Sequence, residues 1–177
     1  PEFIEGKVVK KIEKNCFRIL DEKTKVNQYI TSVNIGNGVE IIGKSAFGKL
    51  HQLKEVTLPN GLRKMEDSVF IEDSNLKKVN NIEFIYNLGY VPLYTFWRCS
   101  SFSQSIIIPS YVKEIEDGAF CGTGVSNLEI KEGTEKIGSH AFAQMKLNVV
   151  VLPKSVKEIG SVAFAGNPID TVVIKSK

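Results

Sequence analysis

The chain has 177 residues, the length of one domain or two very small ones, and its 42% hydrophobic and 24% charged residues exclude a disordered chain or a collagen. No apolar run exceeds four residues, which excludes a bundle of membrane-spanning helices and any membrane insertion. A net charge of +3, from 23 basic and 20 acidic residues, is too small to select nucleic acid or an anionic lipid surface as partner. Cys16, Cys99 and Cys121 cannot all pair within one chain, so a small disulfide-stapled scaffold is excluded too. The chain opens on Pro1 with no basic-then-apolar leader and reads as a cut or processed product.

Read in order, the sequence repeats. In residues 1–29, Val9, Ile12 and Phe17 have the spacing of Val39, Ile42 and Phe47, so this stretch is expected to be a degenerate first turn or cap with a long tail, Arg18–Tyr29. From residue 30 the unit is complete. Val33-Asn34-Ile35-Gly36 leads to Val39, Ile42 and Ala46-Phe47, and Val56-Thr57-Leu58-Pro59 leads to Leu62, Met65 and Val69-Phe70. The next turn, 76–101, loses the pattern and carries Phe84, Tyr86, Tyr90, Tyr94, Phe96 and Trp97 around Gly89. The pattern returns from Ile106 to Phe120, from Leu128 to Phe142 and from Val150 to Phe164. Ile169, Val172 and Ile174 begin a partial repeat that closes the series at 174. Counting Phe17, the chain holds seven turns and a terminal half-turn, all expected within one repeat domain spanning 1–177.

A unit of this length cannot bury its own apolar side, so neighbours must stack into a solenoid. The V-x-I triplets read as strands near 33–35, 56–58, 106–108, 128–130, 150–152 and 172–174, with the outer two residues facing inward. The expected architecture is a β-rich solenoid of short parallel strands stacked in one sheet, with turns and little helix on the other side. Pro59, Pro109 and Pro153 follow the triplets, where a missing N–H ends the ladder at little cost. Gly43, Gly138 and Gly160 suggest a sharp turn after the second apolar position. The phenylalanines at 47, 70, 96, 120, 142 and 164 predict an aromatic column, each ring contributing roughly 1.5–3 kcal/mol on burial.

The segments from Ile106 to Phe120 (IIIPSYVKEIEDGAF) and from Val150 to Phe164 (VVLPKSVKEIGSVAF) resemble BspA-type leucine-rich repeats. The Ile-Gly-x-x-Ala-Phe segment and the proline after the strand carry the resemblance, which covers 30–177 and, more weakly, 1–29. The asparagine ladder of the common leucine-rich repeat is missing, so its convex helices are not expected. The resemblance implies a bacterial cell-surface or secreted protein, or a protist relative, that adheres to host or matrix proteins. It brings no site residues with it.

Catalytic patterns are sparse. His51 and His140 are the two histidines, and no zinc-protease, nucleophile-elbow or phosphate-loop motif occurs. No catalytic residue, cofactor or metal is expected. Cys99 and Cys121 lie about one repeat apart and read as buried thiols beside the phenylalanine column, with a conditional disulfide as the alternative. Lysine–glutamate pairs such as Lys113-Glu114 and Lys157-Glu158 read as a solvated edge.

Two departures point to a partner surface. The middle residue of each triplet faces out of the sheet. Asn34, Thr57 and, in a register the pattern does not fix, Asn80 are polar, whereas of the later positions Ile107, Glu129, Val151 and Val173 all but Glu129 are apolar, and Val149 shares the face of Val151. Tyr94 and Trp97 of the irregular turn are candidate additions, because insertions in solenoids often map to a binding face. The functional expectation is a non-enzymatic macromolecule-binding module whose partner is a host or matrix protein, or a second copy of the chain. The alternative is a structural spacer, or an accessory domain of a larger surface protein or enzyme.

Overall fold

In a computed structural model, which describes residues 3–4, 7–18 and 27–175, each repeat makes one flattened turn with two strands and a phenylalanine-bearing bend. Most of the expected tail after Phe17, residues 19–26, lies outside the described residues. Phe3–Ile4 and Lys7–Val8 form an antiparallel pair ahead of the first turn.

The long strands follow the alternation in the sequence. Ser32–Asn34, Glu55–Thr57 and Lys78–Asn80 pair in parallel, with Val33, Val56 and Val79 in one inward row. Ile106–Ile108 pairs with Leu128–Ile130, and Val149–Leu152 with Thr171–Ile174. The strands expected at 33–35 and 56–58 start one residue earlier, because the Lys54 N–H already reaches the Thr31 carbonyl at 2.8 Å. The irregular turn joins this ladder through Asn80 beside Thr57, but Lys78–Asn80 does not pair with Ile106–Ile108, nor Leu128–Ile130 with Val149–Leu152, so the long strands form three short sheets in place of the single one expected. Its surplus residues are taken up afterwards by the one-turn helix Glu83–Tyr86, which buries Ile85 and Tyr86.

The structure adds a second, shorter ladder. Ile41–Ile42 pairs with Lys11–Ile12 and Lys64–Met65, and Tyr90–Val91, Glu114–Ile115, Lys136–Ile137 and Glu158–Ile159 pair in that order. Each of these strands is two residues long. In all but the last, Glu158–Ile159, whose residues are both exposed, one residue faces the core and one faces solvent, too short a run for alternation to be read as a strand.

The remaining side of each turn carries the column. Phe17, Phe47, Phe70, Phe96, Phe120, Phe142 and Phe164 stack with neighbouring ring centroids 5.3–5.9 Å apart. Phe47, Phe70, Phe96, Phe120 and Phe142 are buried, and Phe17 and Phe164 at the two ends are partly exposed. The backbone beneath the rings is a third hydrogen-bonded ladder. Phe47 N–H donates to the Val69 carbonyl at 3.1 Å, Phe96 to Ala119 at 2.8 Å and Phe120 to Ala141 at 2.9 Å. Residues two before and two after the rings from Phe47 to Phe142 do the same, as in Tyr94 to Asp117 at 3.0 Å and Arg98 to Cys121 at 2.7 Å.

Aiming these N–H groups at the next turn requires left-handed backbone. Ser45, Ser68, Tyr94, His140 and Val162 before the rings, and Lys49, Glu72, Arg98 and Gln144 after them, all have φ between 52° and 64°. Such a conformation costs a non-glycine residue roughly 1–2 kcal/mol, which the inter-turn bonds and ring stacking offset. Glycine has a different part here from the one expected. Gly43, Gly138 and Gly160 have no left-handed backbone. A Cβ at Gly160 would lie 2.3 Å from the Ser139 nitrogen, and one at Gly43 2.5 Å from the Lys14 nitrogen. They are small because the neighbouring backbone passes against them.

Two outcomes follow from this packing. Phe120→Ala leaves a cavity between two rings that cannot close without shifting both, and is expected to cost about 3–5 kcal/mol in chemical denaturation; a loss below about 1 kcal/mol would refute the column. Val162 holds a β-branched side chain at φ 52° while 47% exposed. Val162→Asn relieves that strain at little packing cost and is expected to stabilise the chain by about 1 kcal/mol. A destabilised variant would show that the ladder does not impose the conformation.

Candidate interaction surface

Strand pairing fixes what the outward face of the long ladder presents. Ser32, Glu55 and Lys78 form one outward row, and Asn34, Thr57 and Asn80 the next. The early half is polar and internally bonded, since Asn80 Nδ2 donates to Glu55 Oε1 at 2.7 Å and to Thr57 Oγ1 at 3.1 Å. A shallow groove of about 440 Å³ lies beside it, lined mainly by Asn34, Asn37, Thr57 and Asn81.

The late half is apolar. Val151 pairs with Val173, and Val149 with Thr171, so the three valines form one patch, 49%, 40% and 42% exposed for Val149, Val151 and Val173. Ile107 is 52% exposed but pairs in register with Glu129, whose carboxylate is bonded to Lys131. In chain order that charged rung stands between Ile107 and the valines. The six candidate residues therefore do not form a single patch.

Tyr94 and Trp97 lie in the phenylalanine-bearing bend, away from the long ladder. Their rings meet edge to face at 4.9 Å, and His140 stands 6.4 Å from Trp97. Gly118 leaves the space they occupy, because a Cβ there would sit 2.4 Å from Tyr94 Cδ1 and 2.6 Å from Trp97 Cε3. The rest of the irregular turn's aromatic content mostly fills the interior: Tyr86 and Phe96 are buried, and Phe84 packs against the core.

The short ladder's outward face is charged and self-paired. Lys64 bonds Glu66 at 2.9 Å, Lys136 bonds Glu114 at 2.7 Å, and Lys157 bonds Glu135 at 2.6 Å. Lys64 holds Glu66 below the usual carboxylate range, helped by the Lys44 N–H. The hydrogen bond from Lys157 does the same for Glu135. These pairs are solvated and contribute little to stability.

Groups capable of chemistry are dispersed. His51 and His140 are both exposed and lie four turns apart. Among the described residues, no three histidine, cysteine, aspartate or glutamate side chains gather where they could hold a metal ion, and no helix is long and apolar enough to cross a membrane. The three cysteines are free. Cys16 is exposed, and Cys99 and Cys121 are buried. Burial pushes both interior thiols up, and Cys99 Sγ donates to the Phe70 carbonyl at 3.0 Å.

One residue is missed by motif reading. Asp73 is fully buried, with Oδ1 accepting the Leu50 N–H at 2.7 Å and Oδ2 unpartnered. The available signal is its place three residues after Phe70, where Leu50 and Met145 stand in other turns.

A family model described as "BspA type Leucine rich repeat region" matches residues 10–123 and 74–177, with six copies of the repeat. No curated protein matches the chain. Among solved structures, a leucine rich cell surface protein from Faecalibacterium prausnitzii is similar at 23% identity and a TM-score of 0.74, over 96% of this chain and 44% of that one. A leucine-rich repeat protein from Bacteroides ovatus is similar at 23% identity and a TM-score of 0.77, over 93% of this chain and 40% of that one. A leucine rich repeat protein of T. pallidum gives 21% identity and a TM-score of 0.66, over 97% of this chain and 70% of that one. The likeness establishes the β-solenoid fold. The chain spans less than half the length of the first two relatives.

The aromatic pair offers a direct optical test. Trp97 is the one tryptophan in the chain. Gly118→Ala places a methyl group against both rings and is expected to shift Trp97 emission to longer wavelength as the pair lifts into solvent. An unchanged spectrum in a folded variant would mean that Gly118 does not seat the pair.

Proposed function

Because the chain belongs to the BspA type leucine-rich repeat family, we propose that residues 1–177 form one non-enzymatic repeat domain that binds another macromolecule as part of a surface or secreted protein. The partner is a protein: a host or matrix protein, or a second copy of this chain. The observation that carries the reading is the patch of Val149, Val151 and Val173, exposed side by side on strands whose earlier counterparts are polar. A solvated sheet face normally alternates polar-out, and apolar side chains there gain from being covered. At roughly 25 cal/mol per Å², covering several hundred Å² contributes useful association energy after docking costs are subtracted. Ile107 extends the surface beyond Glu129, and Tyr94 with Trp97 supplies a separate contact on another side of the solenoid. Surface placement is supported by the description of a solved neighbour as a cell surface protein.

The competing reading is a spacer or accessory unit of a larger surface protein or enzyme. It is favoured by the chain's matching less than half of two longer relatives. The double variant Val151→Thr/Val173→Thr separates these readings, because threonine keeps the β-branched shape while adding a hydroxyl. Wild type and variant are to be compared for binding to immobilised purified matrix and host-surface proteins, and for oligomeric state by sedimentation. The expected result is a normally folded variant with at least roughly tenfold weaker binding or self-association, equivalent to about 1.4 kcal/mol. Equal binding and equal oligomeric state would assign the patch to ordinary surface and favour the spacer.

A further inference from the structure

The position three residues after each column phenylalanine from Phe47 onward is Leu50, Asp73, Cys99, Thr123, Met145 and Asn167 in successive turns. Three of the polar residues there act as neutral donors. Cys99 donates to the Phe70 carbonyl at 3.0 Å, and Thr123 Oγ1 to the Phe120 carbonyl at 2.9 Å. Asn167 Nδ2 donates to the Phe142 and Phe164 carbonyls at 2.7 and 2.8 Å, while its Oδ1 accepts the Leu147 N–H at 3.1 Å. Asp73, like Asn167, accepts an N–H from the preceding turn, though from a different position in it. Its Oδ1 accepts the Leu50 N–H at 2.7 Å, but Oδ2 has no partner and the residue has no solvent exposure.

A carboxylate at this point would be a buried charge with one hydrogen bond and no counter-ion, a costly arrangement. Its charged and titratable surroundings do not compensate. Cys99, from the following turn, is no counter-ion, and a charge on Asp73 opposes ionisation of its thiol. Glu72, the chain neighbour, has the same sign. Lys49, from the preceding turn, reaches Glu72 at 3.9 Å rather than Asp73. Burial is the largest influence, and it pushes Asp73 well above the ordinary carboxylate range.

We infer that Asp73 is a neutral carboxylic acid in the closed solenoid, and that its ionisation is a pH-operated release of the layer formed by Leu50, Asp73 and Cys99. On release the Oδ2 proton passes to solvent, the carboxylate becomes hydrated, and the Cys99 thiol is uncovered with it. The sign follows from proton counting. Between the ordinary carboxylate value and the raised native one, the folded chain holds a proton that the unfolded chain has lost. The stability due to this group is therefore complete below about pH 4 and declines as pH rises through the native value.

The test combines urea denaturation of wild type and Asp73→Asn from pH 4 to 9 with thiol labelling. Labelling is mapped to Cys99 by peptide mass and normalised at each pH to the rate in unfolded protein. Asparagine keeps the acceptor for Leu50 and cannot ionise. The variant is expected to be no more stable than wild type near pH 4, and to gain on it by at least roughly tenfold in folding equilibrium above pH 7. Wild-type Cys99 labelling is expected to exceed the variant's by a similar factor over the same rise. Should Asp73→Asn fail to fold, Asp73→Leu, which copies Leu50, removes the titration and is expected to flatten the profile in the same way. Parallel pH profiles for wild type and the folded variant overturn the inference. So does a wild type that loses stability, relative to that variant, on acidification through the carboxylate range.

Discussion

The structure depends on the backbone ladder under the phenylalanine rings. Rings 5.3–5.9 Å apart hold successive bends at a spacing near the ~4.8 Å of paired strands. At that spacing the N–H groups two before, at and two after each ring from Phe47 to Phe142 meet carbonyls of the next turn. Peptide groups at these positions then align along the solenoid axis, with carbonyls toward the preceding turn and N–H groups toward the following one. Left-handed backbone on both sides of the ring is what this alignment requires. The strain is local and recurs in every turn, and neighbouring turns hold it in place through the same bonds that create it. Side chains as different as Ser45, Tyr94, His140 and Val162 accept the same backbone because the ladder, more than the residue, sets it.

This explains which parts of the fold were legible. The phenylalanine series could be read because an aromatic residue recurs at 22- to 26-residue intervals and no other reading fits. The inward rows could be read because Val33, Val56, Ile106, Leu128 and Val150 open triplets at the same distance before each phenylalanine-bearing segment, whereas Val79 was hidden in the irregular turn. The left-handed positions could not. Glycine marks three of them, Gly118, Gly122 and Gly166, while lysine, glutamate, arginine and valine occupy others without local preference for that region. Gly43, Gly138 and Gly160 are plain in the sequence, but their cause is an approaching backbone nitrogen, which belongs to another turn.

The candidate surface was legible to a similar degree. Alternation alone puts Val149, Val151 and Val173 outward, and pairing puts them together. Ile107 obeys the same alternation, but Glu129 interrupts the row, an interruption visible in the sequence once the turns are aligned. Tyr94 and Trp97 required three dimensions, since their place above Gly118 depends on the left-handed bend. Asp73 escaped because a lone aspartate near a turn reads as surface. Only its alignment with Leu50 and Met145 marks the position as interior.

Each turn thus divides its residues between two kinds of constraint. The inward positions and the bend are tied to their neighbours, so a change at Phe120 is felt in three turns at once and one at Gly160 in two. The outward positions of the long strands touch little beyond the residues directly above and below them. Asn80 bonding Thr57 and Val151 resting on Val173 are equally compatible with the same ladder. A solenoid built in this way can change from a polar to an apolar face along its length without altering its backbone. The surface chemistry of any one turn can then vary, while the stability of the stack rests on the inward positions and the bend.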